Sequence, residues 1–138
     1  MKVFIDSDVV ISSLLSSTGA AFFLLHTAPI QPIISSVSYK ELLIVIERHP
    51  IEKKKFDQLI QTRFMTVQLT LHSKEVQQIY KNYVLDLNDA HIVAGAKSAQ
   101  VKYLISFNQK HYKKELIKND LDILLFTPAL FLQYLRSR

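Results

Sequence analysis

Val3-Phe4-Ile5-Asp6-Ser7-Asp8-Val9-Val10 places three apolar residues before an acid and sets a second acid just before a further apolar run. An uninterrupted apolar triplet of this kind suits a short parallel strand buried on both faces, and Val9 to Leu15 then suits a first helix. Working outward, Gly19 to His26 reads as a second short helix and Pro32-Ile33-Ile34-Ser35 as the next strand. Ser36 or Ser38 is placed to cap a helix running from Tyr39 through Arg48 and stopped before Pro50. Glu52 to Arg63 is helical by the spacing of Phe56, Leu59 and Ile60, and Phe64 to Leu69 returns as a strand. Ser73 to Tyr83 predicts a helix whose Val76, Ile79, Tyr80 and Tyr83 form an apolar stripe directed at the core. Asn88 is placed to cap an alanine-rich helix from Asp89 to Gln100, followed by strands at Tyr103 to Ser106 and Ile123 to Phe126. Thr127-Pro128 then combines an N-cap with a proline at the first helical position, opening a last helix to about Arg136. Strands that alternate with helices require crossover connections, which predicts a three-layer α/β/α fold around a central, mostly parallel sheet.

Composition narrows the function. The chain has 138 residues, 49% hydrophobic and 21% charged, with scattered glycines and prolines and no linker or repeat, so residues 1–138 are expected to form one domain. The absence of cysteine excludes thiolate catalysis and cysteine-based zinc sites, and agrees with a reducing compartment; the expected location is cytoplasmic. No apolar run near the N-terminus is long enough for a signal-peptide core or a membrane span, so neither export nor membrane insertion is expected. Seventeen basic residues against twelve acidic ones give a net charge of +5, which favours a polyanionic partner but serves solubility equally well. Two glycines cannot supply a phosphate loop, and no serine-centred elbow is present.

The acids carry the chemistry. Asp6 ends a buried strand, where an ionised carboxylate needs a cation or several donors to offset desolvation. Asp8 reads more simply as a helix cap. Glu41 adjoins an apolar helical run, yet Ser38-x-x-Glu41 also fits a capping box. Asp86 and Asp89 flank Asn88 at a helix start, where the helix dipole gives either acid a bland role, although Asp89 falls on the inward side with Ile92, Val93 and Ala96. Asn108 follows a strand end and alone would be a turn residue. In a doubly wound sheet these positions gather at the carboxyl ends of the strands, where ligands bind. Carboxylates crowded there repel one another unless divalent cations separate them, and an all-oxygen donor set suits Mg²⁺ or Mn²⁺. The five histidines, at 26, 49, 72, 91 and 111, show no metal-site spacing and read as ordinary surface or core residues, with His111 within reach of a substrate.

Four segments, Val3 to Val10, Ser38 to Leu42, Asn88 to Ala94 and Leu104 to Asn108, resemble in order and spacing the acidic motifs of PIN domains, and the resemblance spans essentially the whole chain. It implies a Mg²⁺- or Mn²⁺-dependent endoribonuclease acting on RNA. It further implies that Asp6, Glu41 and Asp89 are the central metal-binding acids, with Asn108 catalytic and Asp8, Asp86 and Ser106 supporting. Asp8 stands where the family often has asparagine, and Asn108 where many members have aspartate, which weakens any second cation site. Lys110, Lys113 and Lys114 are expected to hold the RNA backbone. Small stand-alone members of the family, the VapC-like group, are commonly toxins of type II toxin–antitoxin pairs, so an antitoxin partner and a homodimer are implied as well. Two other readings remain: a PIN-like module that binds RNA or protein without cleaving, and a haloacid-dehalogenase-type phosphatase with Asp6 as nucleophile and Asp8 as general acid, which also needs a positioned lysine and a downstream acid pair; Lys102 precedes a strand, but the sequence shows no convincing order of these elements.

Overall fold

The computed structural model describes residues 1–138 and has the expected three-layer architecture. Its five strands are β1 (Lys2–Ile5), β2 (Gln31–Ser35), β3 (Met65–Val67), β4 (Tyr103–Ile105) and β5 (Leu124–Phe126), and they form one sheet in the order β3-β2-β1-β4-β5. Every pairing is parallel. The helices are α1 (Ser7–Leu15), α2 (Ala20–His26), α3 (Ser36–Glu47), α4 (Lys53–Arg63), α5 (Ser73–Tyr80), α6 (Ala90–Ser98), α7 (Lys114–Leu121) and α8 (Pro128–Arg136).

The strands separate two cores by the two-residue period of extended chain. Val3 and Ile5 of β1, Ile34 of β2, and Tyr103 and Ile105 of β4 face a core built with α1, α2, α3, α4 and α8. Phe4, Ile33 and Leu104, the alternate positions, face a second core built with α5, α6 and α7. Both faces are covered, as the continuous apolar runs in the strands demand.

No single helix is long and apolar enough to cross a membrane; α1 and α2 are so only jointly, and they are bent by 100°. The buried residues of that pair, Val9, Val10, Ala21, Leu24 and Leu25, belong to the first core.

Several local expectations are corrected. The cap of α3 is Ser35, whose side chain accepts from the Ser38 amide; Ser36 and Ser38 lie inside the helix, so no Ser38–Glu41 capping box forms. Asn88 does not cap α6. Asp86 instead accepts from the Asn88 amide and starts a 3₁₀ turn, Leu87–Asp89, that leads into the helix. The helix from Ser73 stops at Tyr80 and tightens to a 3₁₀ turn at Lys81–Tyr83; of its stripe only Val76 is buried, and Ile79 is 55% exposed. Residues 114–121 carry no apolar stripe that predicts a helix, yet α7 is there, with Ile117 as its one buried residue and Asp122 in the left-handed region at its end.

Gly95 explains how closely α6 approaches the sheet. A Cβ at this position would lie 2.4 Å from the Phe4 ring, which is fully buried, so the ring or the helix would have to shift. Gly95→Ala is expected to destabilise the protein by about 1–3 kcal/mol, the usual cost of overpacking a filled core. Thermal denaturation measures this, and an unchanged midpoint would mean that the Phe4 ring repacks without cost.

Candidate functional site

The register of β1 against β4 creates the site. Ile5 pairs with Ile105, so Asp6 and Ser106 emerge side by side where the two strands end. The strand period directs both toward the core side occupied by α6. Asp6 is 9% exposed, and an acid so buried requires donors. Its Oδ1 accepts from the Ser7 amide at 2.7 Å, while Oδ2 accepts from the Ser106 hydroxyl at 2.8 Å and from the Tyr112 hydroxyl at 2.6 Å. Burial, reinforced by the charge of Asp6, pushes the Tyr112 hydroxyl far above its ordinary range, so it stays a donor.

Asp6, and not Asp8, caps α1. Asp8 turns to the segment after β4, where its Oδ2 accepts from the Phe107 amide at 3.1 Å and lies 3.4 Å from the Ser106 hydroxyl. Ser106 has a single proton, and the shorter contact assigns it to Asp6. The other oxygen of Asp8, Oδ1, is buried with no partner. Burial and then the nearby charge of Asp6 push Asp8 up to about 7, against the lowering effects of the Phe107 and Val9 amides and the Ser106 hydroxyl.

Asp89, at the start of α6, belongs to the same electrostatic neighbourhood. Burial raises its pKa first, then the charges of Asp6 and Asp86, with His111 and His91 opposing. His111 Nδ1 is 3.4 Å from Asp89 Oδ2. Glu41 is engaged elsewhere: its Oε1 is 2.9 Å from His91 Nε2, and its side chain is 51% exposed. Glu41 and His91 also line a cavity of about 490 Å³ with Val37, Leu71, Gln77 and Leu87.

Asn108 is exposed and donates its backbone N–H to the Ser106 hydroxyl oxygen, at 3.0 Å. Lys110 lies in the 3₁₀ turn Gln109–His111, Lys113 precedes α7 and Lys114 begins it; all three are exposed. Lys114 lines a different cavity, between α7, β5 and α8. Lys102 precedes β4 and so stands at the opposite edge of the sheet from Asp6, where it cannot serve a phosphatase centre on that acid.

The structure thus gathers Asp6, Asp8, Asp89 and Ser106, with Asp86 at one side. Glu41 joins only through His91. Sequence reasoning missed Tyr112, because one tyrosine within a basic stretch carries no signal of its own, and it set aside His91 and His111, which both touch acids.

The donor chemistry fits a hard divalent cation: the side chains are oxygen donors, their charges disfavour one another, and a buried carboxylate oxygen lacks a partner. The spacing fits less fully, since no three Asp, Glu or His side chains lie close enough together here to enclose one ion.

The family model described as PIN domain matches residues 2–110. No curated protein matches the chain. Among solved structures, a toxin–antitoxin complex from Klebsiella pneumoniae is similar with a TM-score of 0.65 at 23% identity, over 91% of this chain and 97% of that one. VapBC2 from Rickettsia felis, bound to a DNA fragment from its promoter, is similar with a TM-score of 0.61 at 14% identity, over 92% and 98%. FitAcB from Neisseria gonorrhoeae is similar with a TM-score of 0.59 at 16% identity, over 94% and 99%. At these identities the likeness establishes the fold.

The raised pKa of Asp8 has a consequence for stability. An acid that titrates near 7 when folded and near 3.8 when unfolded binds more protons in the folded state between those values. Its stabilising contribution is therefore complete below the lower value and lost as pH rises through the upper one. In EDTA-treated protein the melting temperature is expected to fall between about pH 5 and about pH 8, and Asp8→Asn is expected to flatten that fall. Equal slopes in the two proteins would exclude Asp8 as the group responsible.

Proposed function

The chain belongs to the PIN-domain family, and from that premise we propose that it is a divalent-metal-dependent endoribonuclease, the toxin of a type II toxin–antitoxin pair. The observation that carries the reading is the crowding of Asp6, Asp8 and Asp89 at one rim of the sheet, where burial and mutual charge raise two of the three and one oxygen has no partner. Such crowding is costly for stability alone and useful around a cation.

Asp6 and Asp89 would hold Mg²⁺ or Mn²⁺, joined by Glu41 once it leaves His91, with Asp8 and Asp86 adding negative charge nearby. When bound, the ion supplies orientation of the phosphodiester, acidification of water and neutralisation of the leaving oxygen. Lone-pair counting sets how Asp6 takes part. Both lone pairs of Oδ2 are taken by Ser106 and Tyr112 and one of Oδ1 by Ser7, so a single direction on Oδ1 remains for a ligand. Asn108, exposed just after β4, would contact substrate through its side-chain amide. Lys110, Lys113 and Lys114 would bind the RNA backbone, in keeping with the net charge of +5.

The toxin assignment is supported by the architecture shared with the Klebsiella, Rickettsia and Neisseria proteins, and it brings with it an antitoxin partner, a homodimer and a cytoplasmic location. The alternative, a PIN-like module that binds RNA or protein without cutting, is favoured by the pairing of Glu41 with His91 and by the amide at 108.

Asp6→Asn is expected to reduce Mn²⁺-dependent cleavage of mixed RNA on the order of 100-fold or more. Equal cleavage by both proteins would end the nuclease assignment, and calorimetry that detects no Mn²⁺ binding at millimolar concentration would favour the non-cutting module. For the basic residues, Lys110→Ala, Lys113→Ala or Lys114→Ala is expected to weaken RNA binding and to lower the slope of log affinity against log salt by about 0.7 per contact removed. A slope unchanged in all three would place the RNA on another surface.

A further inference from the structure

Beyond residue 110, where the match to the family model ends, the chain still reaches the centre of the site. Tyr112 is 5% exposed, and its hydroxyl makes the shortest of the contacts to Asp6, 2.6 Å to Oδ2. The backbone at this residue is fixed independently. Tyr112 forms an antiparallel bridge with Val84, flanked by the Leu85 amide donating to the His111 carbonyl at 2.9 Å and the Lys113 amide donating to the Tyr83 carbonyl at 2.9 Å. The ring packs in the second core with Val84, Ala90 and Ile117. A residue tied to the segment that leads into Asp89 therefore also holds Asp6.

We propose that Tyr112 is a positioning residue for the nuclease centre: by occupying Oδ2 of Asp6 together with Ser106, it makes Oδ1 the oxygen presented to the cation and fixes Asp6 relative to Asp89. The proposal rests on the nuclease reading of Asp6. A phenylalanine would fill the same space and keep the bridge to Val84, but it would free a lone pair on Oδ2 and let the carboxylate turn.

Tyr112→Phe tests this, with Tyr83→Phe as a control that removes a tyrosine hydroxyl from the exposed Asp120 instead. Tyr112→Phe is expected to raise the Mn²⁺ dissociation constant by about tenfold or more, measured by calorimetry, and to lower kcat with little change in KM for RNA. In an Asp6→Asn background, the same substitution is expected to add nothing further to either quantity or to the shift in melting temperature. Tyr83→Phe is expected to match the wild type. Mn²⁺ affinity and kcat within about twofold of the wild type, or an equal loss with Asp6→Asn in place, would overturn the proposal. Should the wild type neither bind Mn²⁺ nor cut RNA, the nuclease reading fails and takes the metal-positioning role with it. The melting-temperature cycle between positions 6 and 112 then still decides whether their link exists.

Discussion

A carboxylate removed from water must be met by donors or by a cation, and the arrangement around Asp6 is the answer to that demand. The parallel register of β1 and β4 brings Ser106 level with it, and the turn that follows returns Tyr112 to the same carboxylate oxygen. The same short segment gives the Phe107 amide to Asp8 and places His111 beside Asp89. One loop after one strand therefore touches Asp6 and Asp8 from the start of the chain and Asp89 from its middle. Loss of that register would leave the buried Asp6 with the Ser7 amide but without Ser106 on Oδ2, and an ionised carboxylate short of donors is costly in the interior.

The rest of the fold serves this rim. Because β1 is the strand at which the sheet changes direction, its neighbours β2 and β4 lead to helices on opposite faces, and a crevice opens at their carboxyl ends. The helix that supplies Asp89 approaches closely because Gly95 leaves room for the Phe4 ring. That contact joins the floor of the site to the second core, so packing several residues away sets how far Asp89 stands from Asp6. The start of α6 also directs its amide dipoles toward the rim, a favourable field for negative charge there.

What could be read in advance follows the physics of each signal. Strands β1, β2, β4 and β5 were legible because three or four uninterrupted apolar residues have few other uses, and Asp6 was legible because an acid directly after such a run is costly. The inward side of Asp89 followed from helical spacing. Caps were not legible to the residue, since Ser35, Ser36 and Ser38 offer the same hydroxyl at adjacent positions and only the strand end decides among them. Helix α7 escaped notice because it buries only Ile117 and so has almost no stripe to detect. His91, His111 and Tyr112 were hidden for another reason: their roles depend on partners 22 to 106 residues away in sequence, and nothing local announces such a contact.

The amide at position 108 also gains a physical account from the geometry. Asp8 already directs one oxygen at the amide of Phe107, the residue next to Asn108, and burial with the charge of Asp6 raises its pKa to about 7. A carboxylate at 108 would add a further negative charge one residue from that contact and push Asp8 higher still. An amide there adds none, and its backbone still donates to Ser106. The acid that faces the end of β4 in this chain thus comes from the first helix and not from the loop, which keeps negative charge at the rim while leaving the loop free to supply donors.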